Sequence, residues 1–193
     1  MDLRYGCRHL PATWLWREAC VLLLVCEQAF AAPASFPGPT TSAPSPVGSA
    51  QVIWIEAHDK EPHRLELNFE GASNFPIMNF DRRCAVEWAP SGRHFAVSDF
   101  FASNQSRVVL FFVSESGPPT QVSLRFPAQV ASLLKAHDHS YQEVVEWSPR
   151  GLLLVVHGYG RLNDKDSPDE FRRKLECRLN SETAARCDEV MSQ

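Results

Sequence analysis

The sequence predicts a mainly β domain of antiparallel four-stranded units, about two and a half of them, with one short helix. Three observations carry that expectation. A segment recurs without gaps: Val86-Glu87-Trp88-Ala89-Pro90-Ser91-Gly92-Arg93-His94-Phe95-Ala96-Val97 aligns on Val145-Glu146-Trp147-Ser148-Pro149-Arg150-Gly151-Leu152-Leu153-Leu154-Val155-Val156. Each copy reads as an apolar strand ending in Trp, a Pro-x-Gly turn and a second apolar strand. Proline presets φ for the first corner of such a turn, and glycine supplies a positive φ. Only one stretch of the domain, residues 127–136, spaces its apolar residues for a helix.

The first element along the chain is a leader. Arg4, Arg8 and Arg17 precede the apolar run of residues 19–26, the order of a secretory signal. Ala29-Phe30-Ala31 offers the small-x-small cleavage pattern, so residues 1–31 are expected to be removed after Ala31. The run is shorter than the roughly 20 apolar residues that span a bilayer, and no transmembrane segment is expected in the mature protein. Cys26 ends the run, but Val25 stands where a lipobox has a small residue, which favours ordinary processing over lipidation. A buried N-terminal helix is the plainer alternative; Pro11 and the proline-rich tract downstream speak against it. Residues 32–49 hold Pro33, Pro37, Pro39, Pro44 and Pro46 among Ala, Ser, Thr and Gly, the composition of a flexible spacer. The folded domain is therefore placed at residues 50–193.

Within it, Val52-Ile53-Trp54-Ile55 and His63-Arg64-Leu65-Glu66-Leu67 form a hairpin, half of a unit. The first repeat continues through strands at residues 107–113 and 121–124, with a Gly-Pro-Pro turn between them. The second continues through strands at residues 171–179 and 185–190. Pro127 suits the start of the helix that separates them. Trp88 and Trp147 are expected to lie across the sheet face and pack on their neighbours.

These residues carry a resemblance. Glu-Trp-Ala-Pro-Ser-Gly, with Trp88, Pro90 and Gly92, and Glu-Trp-Ser-Pro-Arg-Gly, with Trp147, Pro149 and Gly151, resemble the Trp-Ser-Pro-Asp-Gly blade motif of TolB-like and WD-type β-propellers. The resemblance covers residues 84–124 and 143–190. Ser91 and Arg150 replace the usual turn aspartate, which removes a local side-chain hydrogen bond without forbidding the turn. Propellers close with roughly 4–8 blades. At about 40 residues per blade the domain is too short for that. The resemblance implies an incomplete propeller with open sheet edges, in an exported, periplasmic or secreted bacterial protein that stands alone or is completed by another copy.

Three cysteines fall in the leader. Cys177 and Cys187 lie on consecutive predicted strands at a spacing that suits facing positions, so a disulfide is expected in an oxidising compartment. Cys84 reads as a buried, inert thiol, and its pairing with either of the others is the second choice.

Nineteen basic against 23 acidic residues, a net charge of −4, supply no cationic field for nucleic acid. No cofactor motif is present. His137-Asp138-His139 is the most metal-like cluster, yet two ligands are too few and a polar loop is the plainer reading. Asp164, Asp166, Asp169 and Glu170 could offer calcium oxygens, but the spacing is not that of an EF-hand and a solvated acidic loop fits better. A hydrolase would need Ser148, His157 and Asp99 in one cleft; no Gly-x-Ser-x-Gly elbow supports it. Gly158-Tyr159-Gly160 reads as the end of a strand rather than a phosphate loop. Ser103-Asn104-Gln105-Ser106 is a polar rim loop, and Phe100 and Phe101 beside it are assigned to the core. The expectation is a non-enzymatic binding or scaffolding module whose partner is a protein, or another copy met through sheet edges. An exported hydrolase and a metal- or calcium-stabilised domain are the alternatives.

Overall fold

A computed structural model describes residues 33–58, 61–71, 74–162 and 169–190. The leader, its cleavage site, Cys26, Asp164 and Asp166 lie outside the described residues. After a short strand β1 (Ala34–Phe36), three four-stranded antiparallel units follow one another. The first is β2 (Ser42–Pro44), β3 (Ala50–Ile55), β4 (His63–Phe69) and β5 (Phe75–Phe80). The second is β6 (Cys84–Trp88), β7 (His94–Asp99), β8 (Arg107–Phe112) and β9 (Thr120–Arg125). Helix α1 (Ala128–Ala136) leads to the third: β10 (His137–Ser148), β11 (Gly151–Arg161), β12 (Glu170–Ser181) and β13 (Ala184–Glu189).

The first unit is thus whole, where the sequence suggested half. Two strands escaped detection, each for a physical reason. β5 contains Pro76, which argues against a strand; here it lies on a sheet edge, beside a register shift that sets Glu66 opposite Pro76 and Leu65 opposite Met78. β2, like β1, falls in the tract expected to be a flexible spacer over residues 32–49, and that expectation is corrected. Phe36 is wholly buried in a core, and Ala43 is buried beside it. The tract's backbone is paired, with Trp54 N donating to Thr41 O at 2.9 Å and Ser45 N to Ala50 O at 2.8 Å. The composition of the tract is spacer-like, but one apolar anchor and edge positions for its prolines are enough to seat it. The described fold begins by Ala34, not near residue 50.

Packing between units follows the alternation of strand side chains. In β7, Phe95 and Val97 join a core with Val52, Leu65 and Leu67 of the first unit. Ala96, between them, faces the other way into a core with Leu110, Phe112, Trp147, Leu152, Leu154, Val156 and Leu175. The second unit is therefore buried on both faces, which explains its near-continuous apolar strands. Val130, Leu133 and Leu134 of α1 pack on the same core, and the helix matches its expected span with Pro127 just ahead of it. The second and third units also join at one edge, where β9 and β13 run parallel through Ser123, Leu124 and Arg125 against Ala184, Ala185 and Arg186.

The repeated tryptophans tie unit to unit in the same way. Trp88 Nε1 donates to Ala43 O of β2 at 2.9 Å, and Trp147 Nε1 donates to Glu87 O of β6 at 3.3 Å. Each indole thus reaches back to the first strand of the unit before it. The turn glycines are equally demanding. Gly92 has φ +67°, and Gly151 has φ +149° with its Cα so close to β12 that a Cβ would meet Cys177 O at 2.2 Å.

Cys177 and Cys187 face each other in the β12–β13 register and form the disulfide. Closing so short a loop contributes about 2–3 kcal/mol. Replacing both by serine is expected to lower the urea-unfolding free energy by about that amount; an unchanged midpoint would oppose this. Cys84 is free and buried, its thiol pushed up to about 12 by burial, with Asp99 adding to the effect. Among the described residues no helix is long and apolar enough to cross a membrane.

Candidate functional site

The second and third units meet as a wedge, paired strand to strand along β9 and β13, whereas β6 and β10 are not sheet neighbours and are tied by the Trp147–Glu87 bond. Two clefts lie along it. The turn cleft, of about 520 Å³, is lined by both repeated turns: Pro90 and Ser91 on one side, Pro149 and Arg150 on the other, with His94 and Trp147. His94 sits 5.3 Å from the Phe112 ring and 6.5 Å from Trp147, and its Nε2 is buried without a hydrogen-bond partner among the described residues. Burial, then the Arg93 charge, lowers its pKa below 6.5, against a smaller opposing pull from Glu182. Protonation is therefore easier in the unfolded chain, and stability present above pH 6.5 is lost as the pH falls toward the folded value. The melting temperature is expected to drop between pH 7.5 and 5.5, and to drop less in His94→Phe; equal drops would remove His94 as a cause.

The edge cleft, of about 250 Å³, is lined by Arg83, Glu87, Ser98, Phe100, Glu143 and Val144 among others. Its wall is the free edge of β10. Ser140 and Gln142 turn their backbone groups outward there, and the 104–106 loop covers both. Ser140 N donates to Asn104 O at 3.0 Å, and Ser106 N donates to Ser140 O at 3.1 Å. Gln142 N donates to Ser106 Oγ at 3.1 Å, and that hydroxyl donates to Gln142 O at 3.0 Å. The two-residue period makes Val144 the next residue with outward groups. No element of the described chain covers it, and beyond it the register shifts and Val145 is 46% exposed. The Glu87 carboxyl is pushed up by burial first and then by Glu146. Glu143 Oε1 lies 3.7 Å from His157 Nε2.

Comparison with protein-family models, curated proteins and solved structures finds no match to the chain.

The residues singled out for chemistry are not brought together. Ser148 is at the turn end of β10, where its hydroxyl donates to Gly151 O at 3.1 Å. His157 stacks on Tyr141, seven positions further back along β10, roughly 20 Å away at the rise of a strand. Asp99 is buried at the far end of β7 with Oδ2 on Arg107 at 3.0 Å, and its carboxyl is raised by burial despite that arginine. The hydrolase constellation of Ser148, His157 and Asp99 therefore does not form. His137 and His139 also part: the first is buried on Phe171 with Nδ1 2.7 Å from Leu133 O, and the second stacks on the exposed Tyr159 at 4.2 Å. A shared metal face was expected from an extended chain; the helix that runs into His137 instead draws that ring inward. Phe100 and Phe101 are not core residues. Phe100 lies under Arg83 at 4.2 Å beside the edge cleft, and Phe101 is exposed beneath Arg107. Sequence reasoning missed Glu87, Glu143 and Val144. Glu87 and Glu146 do hold the same place in the two repeats, the one signal that could have pointed to the cleft.

Proposed function

We propose that this chain is an exported, non-enzymatic binding or scaffolding module that holds a polypeptide partner in the wedge between its second and third units. The cleft of about 520 Å³ between these units, lined by both repeated turns, is the observation that carries the reading. Repeated β units of this kind present loops and edges rather than buried chemistry. The blade-like motifs around Trp88 and Trp147 support placing it beside the TolB-like and WD-type propellers as an incomplete relative. The Cys177–Cys187 disulfide and the leader-like residues 1–31 support a periplasmic or secreted setting.

A photo-cross-linking residue placed at Ser91 or Val145, and as a control at Gln51 on the polar outer face of the first unit, tests this in the producing cell. Adducts with another protein are expected from Ser91 and Val145 and not from Gln51. Adducts from Gln51 alone, or from none of the three, would overturn it. A second copy is the other occupant to consider, because three units fall short of the roughly 4–8 that close a ring while two chains supply six. Light scattering on the purified chain separates that case as a stable dimer.

A further inference from the structure

We propose that the open edge of β10 at residues 143–146 takes an extended polypeptide segment carrying a lysine or arginine, which pairs with the Val144 backbone and sets its cation between Glu87, Glu143 and Glu146. This rests on the wedge being the binding surface, and it names the chemistry of what enters.

The molecule already performs this pairing once on itself. β1 lies antiparallel on β6 through Phe36, Ser35 and Ala34 opposite Cys84, Ala85 and Val86. The repeat alignment carries Cys84-Ala85-Val86 onto Glu143-Val144-Val145. In the second unit that edge is filled by an added strand, and in the third no described residue pairs with the equivalent edge. Its outward groups are satisfied in order by the 104–106 loop at Ser140 and Gln142 and then left over at Val144, inside the edge cleft. An unfilled strand edge recruits a strand, and the ladder bonds supply affinity while alternate side chains supply selectivity.

Two further features say which side chain belongs there. Ser98 is only 6% exposed and lines the same cleft, a small polar residue at its floor. Around it carboxylates outnumber the one arginine. Glu87 and Glu143 both line the cleft, and the Glu87 carboxyl is raised first by burial and then by the charge of Glu146. Against these stands Arg83, which is held over the Phe100 ring, while the His157 ring lies beside Glu143. A single lysine or arginine from a paired strand relieves that repulsion, whereas an acidic segment worsens it.

The test uses the whole chain and a labelled heptapeptide, Thr-Val-Ser-Lys-Val-Thr-Ser. Two companions accompany it, one with glutamate for the lysine and one N-methylated at both valine amides. Fluorescence anisotropy is expected to show the lysine peptide binding at least about tenfold tighter than the glutamate peptide. The N-methylated form should lose at least about tenfold, because alternate amides are needed for the ladder. In the variant Glu87→Gln with Glu146→Gln the lysine and glutamate peptides should bind alike, with an unchanged circular-dichroism melt showing that the fold persists. Equal binding of the lysine and glutamate peptides to the unaltered chain, indifference to N-methylation, or no binding of any peptide would overturn the proposal. Each of those results leaves the wedge itself to be judged by the cross-links from Ser91 and Val145.

Discussion

Trp147→Ala should lower stability by about 3–5 kcal/mol, the cost of emptying a large aromatic site in a close-packed core. The indole is 4% exposed, lies among Leu152, Leu154, Leu175 and Ala96, and makes the one bond from its ring to the backbone of the preceding unit, at Glu87 O. Its loss leaves a cavity, strips a partner from that carbonyl and opens the floor of the turn cleft at once. Trp88→Ala repeats the experiment at the equivalent position. Trp88 is only half-buried and packs against Phe95 at 4.9 Å, so its removal should cost less. Urea unfolding of both variants gives the comparison. A Trp147→Ala loss below about 1 kcal/mol, or a larger loss from Trp88→Ala, would mean that the third unit is not packed on the second as described.

Phe36→Ala should cost a comparable amount, about 3–5 kcal/mol. The size of that effect is at odds with the residue's surroundings in the sequence, a tract of Pro, Ser, Ala and Thr. Its side chain is nonetheless wholly buried, 6.3 Å from the Trp54 ring and in one core with Val86, Phe95 and Phe111. Alanine there would also weaken β1 on β6, since the strand is three residues long and Phe36 is its anchor. An unchanged unfolding midpoint would return the tract to the status of a spacer.

These two residues also show what the sequence reveals and what it hides. The Trp-x-Pro-x-Gly hairpins, the strands that follow them, the helix after Pro127 and the facing cysteines are all local patterns. Periodicity, turn chemistry and spacing are enough to find them. β1, β2 and β5 are stabilised by partners far along the chain: Phe36 by the second unit, Ala43 by the Trp88 indole, Pro76 by its place on an edge. No window of sequence contains those partners, so composition ruled the tract out. The candidate site was hidden for the same reason. Glu87 and Glu146 are visible as repeat equivalents, but that the charge of one bears on the other follows from the packing of one unit on the next. Likewise the bareness of Val144 follows from where the 104–106 loop stops. His157, Ser148 and Asp99 looked like chemistry because residue types alone were visible; the register sets His157 most of a strand's length from Ser148, and Asp99 is bound to Arg107.

Residue-resolved amide hydrogen exchange on the unliganded chain tests the open edge most directly. Strand pairing protects the amides that point toward β11, such as Tyr141 and Glu143, and the 104–106 loop protects Ser140 and Gln142. The Val144 amide should exchange far faster than these neighbours. A Val144 amide as slow as Gln142 and Glu143 would show that the edge is already filled, and would contradict the binding surface placed there.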